Sequence, residues 1–220
     1  YKRQVMGLAS DDRHLFVLGC DGVTYKWERN AWICAGGLCK QIAVASKVSE
    51  IWGITSAGGL CRLESDGQWT CVDDAPILQH VSVSGDGRQV WCLDENCGIH
   101  MYFPLKKSWR NIDGKMKHIS VSADSQHVWG VNIHDEVFYR PGSLGSWVQV
   151  SGEFHQISVS ADGWHVWGVN DYAQLYYRCG LDGHWNYITG SKVRQVCVSS
   201  DGSQVWCLCA HLHVWVCHLW

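Results

Sequence analysis

A chain of 220 residues is long enough to bury a large core, and with 46% hydrophobic and 18% charged residues it has the make-up of a compact body, which excludes a disordered chain. The net charge is -3 and the 18 Lys and Arg are scattered without a run that would track phosphates, so no nucleic-acid partner is expected. No apolar run approaches the roughly 20 residues of a membrane helix, and no membrane insertion is expected.

The chain reads as a repeat. Aligned on one aromatic, the copies place Phe16, Trp52, Trp91, Trp129, Trp167 and Trp206 at steps of 36 to 39 residues. A second series, Trp32, Trp69, Trp109, Trp147, Trp185 and Trp220, keeps nearly the same steps independently. Two agreeing series make six copies, and a period this short gives no copy a core of its own.

Taken in order, the copies depart from one another. The first has Phe16 in place of Trp and Asp11-Asp12 at its turn, the second reads Ser46-Lys47-Val48-Ser49 there, and the sixth ends at Trp220 where its last strand would begin. The fourth and fifth copies are the most alike, Ile119 to Arg140 matching Ile157 to Arg178. In the fifth, Ile157 and Val159 alternate with Ser158 and Ser160, and His165, Trp167 and Val169 alternate with Val166, Gly168 and Asn170. That period of two marks strands A and B.

Asp162-Gly163 between them predicts a two-residue type I′ turn with positive φ at both central positions. Such a turn sets Trp167 opposite Ser158. Leu175 to Arg178 is strand C, Leu181 to Gly183 a second turn, and Trp185 to Ile188 strand D. Both faces of this meander are apolar, so each sheet needs a neighbour on either side, and a ring of sheets supplies one. The expected fold is all-β, a six-bladed β-propeller of four-stranded antiparallel blades. It forms one domain over 1–220 with blades at 1–38, 39–77, 78–115, 116–153, 154–191 and 192–220. Ring closure has two solutions: Tyr1 to Arg3 completes the last sheet, or the copies shift by one strand.

Twelve Cys without a zinc-type spacing point to disulfides and hence an oxidising compartment. Secretion is the expectation, in keeping with a start at Tyr1 without Met or apolar leader. Cys34 and Cys71 share one repeat position, which suggests partners in Cys20 and Cys61; Cys92 and Cys97 flank a short loop and are expected to close on each other; Cys197, Cys207, Cys209 and Cys217 are placed to staple the last copy. No two His have the spacing of a catalytic zinc site, and neither metal nor cofactor is expected.

Connectivity puts the B–C and D–A loops on one face of the ring. There stand Asp94, Glu95 and Asn96, then Asn132, His134 and Asp135, then Asn170, Asp171 and Tyr172. Amides and carboxylates beside aromatic rings suit sugar hydroxyls and the apolar face of a pyranose, although Asn and Asp also simply make turns. Tyr139 and Arg140, with Tyr177 and Arg178, end strand C; the two Arg suit either an anionic sugar or a turn Asp of the adjacent blade. Most Trp are assigned to the core, with Trp147, Trp164 and Trp185 as candidates for stacking on a ligand.

Val166-Trp167-Gly168-Val169-Asn170, followed by Tyr176-Tyr177-Arg178, Trp185 and then Ile188 and Gly190, resembles the tectonin repeat. In length, copy number and Cys content the chain is similar to the fish egg lectins and propeller-type tachylectins. The resemblance implies a secreted lectin needing no metal or cofactor, acting in innate defence or in eggs. It also implies glycan partners bearing N-acetylglucosamine-type sugars or lipopolysaccharide. The Asn of the motif is replaced by Gly19, Thr55, Asp94 and Cys209 in the other copies, so binding is expected beside the fourth and fifth. Two other readings stand: a protein-binding propeller scaffold, and a sialidase-like glycosidase suggested by Ser160-Ala161-Asp162-Gly163. The oligomeric state is left open, a homo-oligomer included.

Overall fold

The computed structural model describes residues 5–10, 15–45, 50–188, 192–199, 204–209 and 214–218. Asp11-Asp12, Ser46 to Ser49, Tyr1 to Arg3, Gly190, Trp220 and the side chain of Cys217 lie outside the described residues.

The first sheet is β1 (Val5–Ser10), β2 (Leu15–Gly19), β3 (Thr24–Glu28) and β4 (Ala31–Gly36). The second is β5 (Cys39–Ala45), β6 (Glu50–Thr55), β7 (Leu60–Leu63) and β8 (Trp69–Cys71). The third is β9 (Leu78–Val83), β10 (Val90–Asp94), β11 (Gly98–Phe103) and β12 (Ser108–Lys115). The fourth is β13 (His118–Val121), β14 (His127–Val131), β15 (Glu136–Pro141) and β16 (Val148–Glu153). The fifth is β17 (Gln156–Val159), β18 (His165–Val169), β19 (Leu175–Cys179) and β20 (Asn186–Ile188). The sixth sheet holds β21 (Val193–Val198), β22 (Gln204–Cys209) and β23 (Val214–His218).

Each sheet is an antiparallel meander, and the molecule is a β-propeller. The expected count is corrected: five blades are four-stranded, not six, and the last sheet has three strands among the described residues. The copies keep their frame without a shift, since β1 is the A strand of the first sheet and pairs with β2.

The hydrophobic clusters lie between sheets. Trp129, Val131, Val137 and Tyr139 of the fourth sheet pack on Phe154 of the following link and on Ile157, Val159 and Val166 of the fifth, and similar clusters recur around the ring. The seam is closed by Leu208 of the last sheet against Leu15, Val17 and Tyr25 of the first. Trp52, Trp91, Trp129 and Trp167 are fully buried at these junctions. Their indole N–H groups have no acceptor among the described residues. Burying roughly 200 Å² of ring contributes about 5 kcal/mol, which offsets an unmet N–H costing about 1–3 kcal/mol.

The register is as expected, with Ser158 opposite Trp167 and Ile157 opposite Gly168. The turn is not. Ser160 N–H donates to His165 O and Gly163 N–H to Ser160 O, which makes a four-residue loop rather than a two-residue one. Gly163 has φ of 78° and Asp162 is not in the positive region, so type I′ geometry is absent. The cause is local hydrogen bonding: Asp162 Oδ1 accepts from Trp164 N–H and Ser160 Oγ, and Ser160 Oγ in turn accepts from His165 N–H. Both loop lengths preserve the same pairing.

Cys61 and Cys71 form a disulfide between directly paired positions of β7 and β8. The expected Cys20–Cys34 bridge does not form, because the partner of Cys34 across β3 and β4 is Tyr25 while Cys20 lies in the loop beyond β2. Cys92 and Cys97 are likewise free thiols. Cys92 is buried on β10, which raises its thiol pKa strongly, whereas Cys97 holds a left-handed loop position with φ of 63°.

The inner A strands splay around a central channel, so their backbone groups cannot form a ladder with the next sheet and side chains serve instead. Gln41 Oε1 accepts Val81 N–H at 2.7 Å, and Gln156 brackets Val196 through both its N–H and its O. Ser82, Ser120 and Ser158 accept N–H groups of Val121, Val159 and Val198. His80 stands at the Gln position. Gln41 Nε2 meets its Nδ1 at 2.8 Å, and its Nε2 lies 2.7 Å from Ile119 O. With Gln41 Oε1 already accepting, this network assigns neutral His80, its Nε2–H donating to Ile119 O.

Burial holds the His80 pKa down to about 4, and burial also lowers that of His118, whose ring is 4.2 Å away. Protons therefore bind the unfolded chain first. Stability is full above the unfolded value of 6.5 and falls as the pH drops toward 4, by about 3 kcal/mol from His80 alone. His80→Gln, which restores the residue type of Gln41 and Gln156, is expected to shrink the fall in melting temperature between neutral and mildly acidic pH, read by circular dichroism.

Candidate functional site: the cleft between the fourth and fifth sheets

Between these sheets, on the face of the B–C and D–A loops, lies a cleft of ≈ 620 Å³. Its wall is aromatic: Phe154 lies 4.4 Å from Trp185 and 5.4 Å from Tyr176, ring centre to ring centre. Trp185 is fixed by its indole N–H, which donates to Ser151 O at 2.6 Å. Its rim carries Asp135, Glu153 and Asp171, with the exposed Tyr172 beside them. Lys117 Nζ pairs with Asp135, and His155 Nδ1 lies 3.7 Å from Asp171 Oδ1.

Gly152 makes the wall possible. It has φ of 125°, and a Cβ there would lie 2.6 Å from Trp185 Nε1 and 2.9 Å from the Phe154 ring. The ring settles onto bare backbone. The same seat recurs where Trp69 meets Gly37 and Trp147 meets Gly114.

A family model for the tectonin domain matches residues 39–216, most of the chain. The chain belongs to the tectonin family. The match starts where the second copy starts, leaving out the first, in which Phe16 replaces Trp. No curated protein sequence matches this tectonin. Among solved structures, human WBSCR16 is similar with a TM-score of 0.67 at 9% identity, over 89% of this chain and 70% of that one. At that identity the likeness concerns the fold alone.

The tectonin's predicted site residues fall into three groups, with Asn170 belonging to the first two. Asp135, Asn170, Asp171 and Tyr172 are brought together at the cleft. Asp94, Asn132 and Asn170 close their own loops. Asp94 Oδ1 accepts from Asn96 N–H and Gly98 N–H at 2.8 Å each and Oδ2 meets His100 Nε2 at 2.7 Å. Burial raises the Asp94 pKa, but these bonds outweigh it and the carboxyl stays below its usual range. Asn132 Oδ1 accepts from His134 and Glu136 N–H, and Asn170 Oδ1 from Tyr172 and Gln174 N–H. The side chain of Asn96 is exposed in its loop.

The third group lies at the other end of strand C, apart from the cleft. Arg140 is buried, over the Trp147 ring, with Nη1 2.7 Å from Asp113 Oδ1 of the adjacent blade. Arg178 is buried over Trp185 and donates to the carbonyls of Gly180 and Leu181. Tyr139 and Tyr177 bond through their hydroxyls to Nδ1 of His127 and His165. Burial, with Cys179 nearby, pushes the Tyr177 pKa up to about 12. These four hold the blades rather than line the opening.

Sequence reasoning missed Glu153, the last residue of β16, and Phe154 in the D–A link, where no motif marks them. The available signal was their place one and two residues after Gly152, on the face already assigned to the D–A loops. Gly152→Ala is expected to cost about 2–3 kcal/mol, from the clash and the left-handed backbone together. Gly67→Ala, with φ of 83° and nothing within 4 Å, is expected to cost only about 1 kcal/mol. Urea unfolding of the two variants checks the difference.

Proposed function

We propose that this tectonin is a carbohydrate-binding protein whose principal site is the cleft beside Trp185, and that it takes neutral N-acetylated sugars of the N-acetylglucosamine type. The observation that carries this reading is the pairing of a fixed aromatic wall with a carboxylate rim in one opening. Tyr176 and Trp185, backed by the buried Phe154, supply faces for the C–H side of a pyranose and for an acetamido methyl, while Asp135, Glu153 and Asp171 accept from hydroxyls.

Charge decides among sugars. Among the described residues the three carboxylates meet Lys117 and His155 alone, so phosphate groups such as those of lipopolysaccharide are repelled at this rim and neutral sugars are not. Trp69 and Trp147 occupy equivalent seats at other junctions, so weaker copies of the site on one rigid ring would add avidity on a repetitive glycan surface. The Cys61–Cys71 bridge supports an oxidising, extracellular setting. In the rival glycosidase reading the hairpin acids would act on substrate, yet Asp86, Asp124 and Asp162 are each held by a Ser hydroxyl and a backbone N–H of their own turns.

Titration with N-acetylglucosamine oligomers, followed by intrinsic tryptophan fluorescence, tests the assignment. Trp185→Ala and Asp171→Asn are each expected to weaken binding by about tenfold or more, as loss of a stacking face or a charged acceptor does. Wild-type protein that ignores these oligomers yet binds lipopolysaccharide would overturn the neutral-sugar assignment.

A further inference from the structure

Three outer junctions are built to one plan, and the junction between the second and third sheets departs from it. At those three a strand-D Trp sits on a glycine of the preceding sheet and donates to a carbonyl there: Trp69 on Gly37 to Ala35 O, Trp147 on Gly114 to Asp113 O, Trp185 on Gly152 to Ser151 O. In the odd junction the glycine position is Asp74, with φ of 56°. A side chain at that seat keeps Trp109 from settling, and the buried Trp109 Nε1 has no partner among the described residues.

A second substitution accompanies the first. Val128 pairs with Arg140 and Val166 with Arg178, but Val90 at the same place pairs with Tyr102. In the neighbouring junction Arg140 fills the space, stacked over Trp147 at 5.6 Å and bonded to Asp113 at 2.7 Å. Tyr102 fills only the apolar half, its ring 4.9 Å from Trp109 and 6.1 Å from Trp52. The rest is a cleft of ≈ 330 Å³ lined by Arg62, Glu64, Asp73, Asp74, Tyr102 and Lys107. Asp73, four residues after Trp69, is the counterpart of Asp113, four after Trp109.

We propose that this cleft binds the guanidinium of an arginine side chain presented by a protein partner, in the way that the next junction binds the chain's own Arg140. The host groups are retained while the internal guest is replaced. Arg62 does not satisfy the acids facing the cleft, since it is engaged by Glu64 at 2.9 Å and Glu50 at 3.8 Å. Asp73 and Asp74 then face Lys107, leaving one negative charge for an incoming cation. A planar guanidinium, with forked donors and a face suited to stacking, fits that setting better than an ammonium.

Nα-acetyl-arginine amide, titrated against the protein while the Trp109 indole N–H is followed by NMR, tests the proposal. A saturable shift is expected, weakened about tenfold or more for the citrulline and lysine amides and in Asp73→Asn. Tyr102→Arg is expected to abolish the shift by placing the chain's own guanidinium in the cleft, with folding checked by circular dichroism. Asp73 is exposed, so its variant keeps the test valid if the other fails to fold. No saturable shift, equal binding of the citrulline or lysine amide, or undiminished binding by Asp73→Asn would each overturn the assignment. Binding of N-acetylglucosamine oligomers beside Trp185 is expected to be unchanged in both variants, which separates this site from the sugar cleft.

Discussion

No sheet in this molecule can exist alone, because both of its faces are apolar and the core belongs to the junctions. Trp129 is covered by residues of the fifth sheet, Trp167 by those of the sixth, and Leu208 by the first. Removing a buried Trp of this series would cost roughly 3–5 kcal/mol, a large fraction of the stability of a whole domain. The inner side-chain belt, the clefts and the ring itself all follow from the need to cover two faces at once.

Glycine sets how closely the sheets approach. Where Trp69, Trp147 and Trp185 rest on Gly37, Gly114 and Gly152, the ring meets bare backbone and a carbonyl accepts the indole proton. Where Asp74 replaces glycine the seat is lost and a cleft opens. Clefts in this fold thus arise in two ways: beside a well-seated ring, as near Trp185, or where the seat is spoiled, as near Trp109.

The strand register was legible in the residues because alternation and repeat spacing constrain the same pairs. Ser158 against Trp167 follows from either turn length. The turn type was not legible, since it depended on Ser160 and Asp162 bonding to backbone groups within the loop. Cys61 and Cys71 could be matched by repeat position, but the same logic failed for Cys34, whose cross-strand neighbour is Tyr25. Part of the site was legible too. Asp171 and Tyr172 follow from connectivity, while Phe154 and Glu153 depend on the path of a link between sheets. Arg140 and Arg178 attract attention as charges, and only burial shows them to be internal struts.

The seam between the last sheet and the first is held by Leu208, Leu15, Val17 and Tyr25, and among the described residues neither sheet borrows a strand from the other. Unlike the other junctions, this seam is crossed by no linking loop among the described residues, and the sheet on one side of it has three strands there. Opening the backbone at another D–A link would leave each described inter-sheet core in place, because those cores are made across the junctions and not along the links.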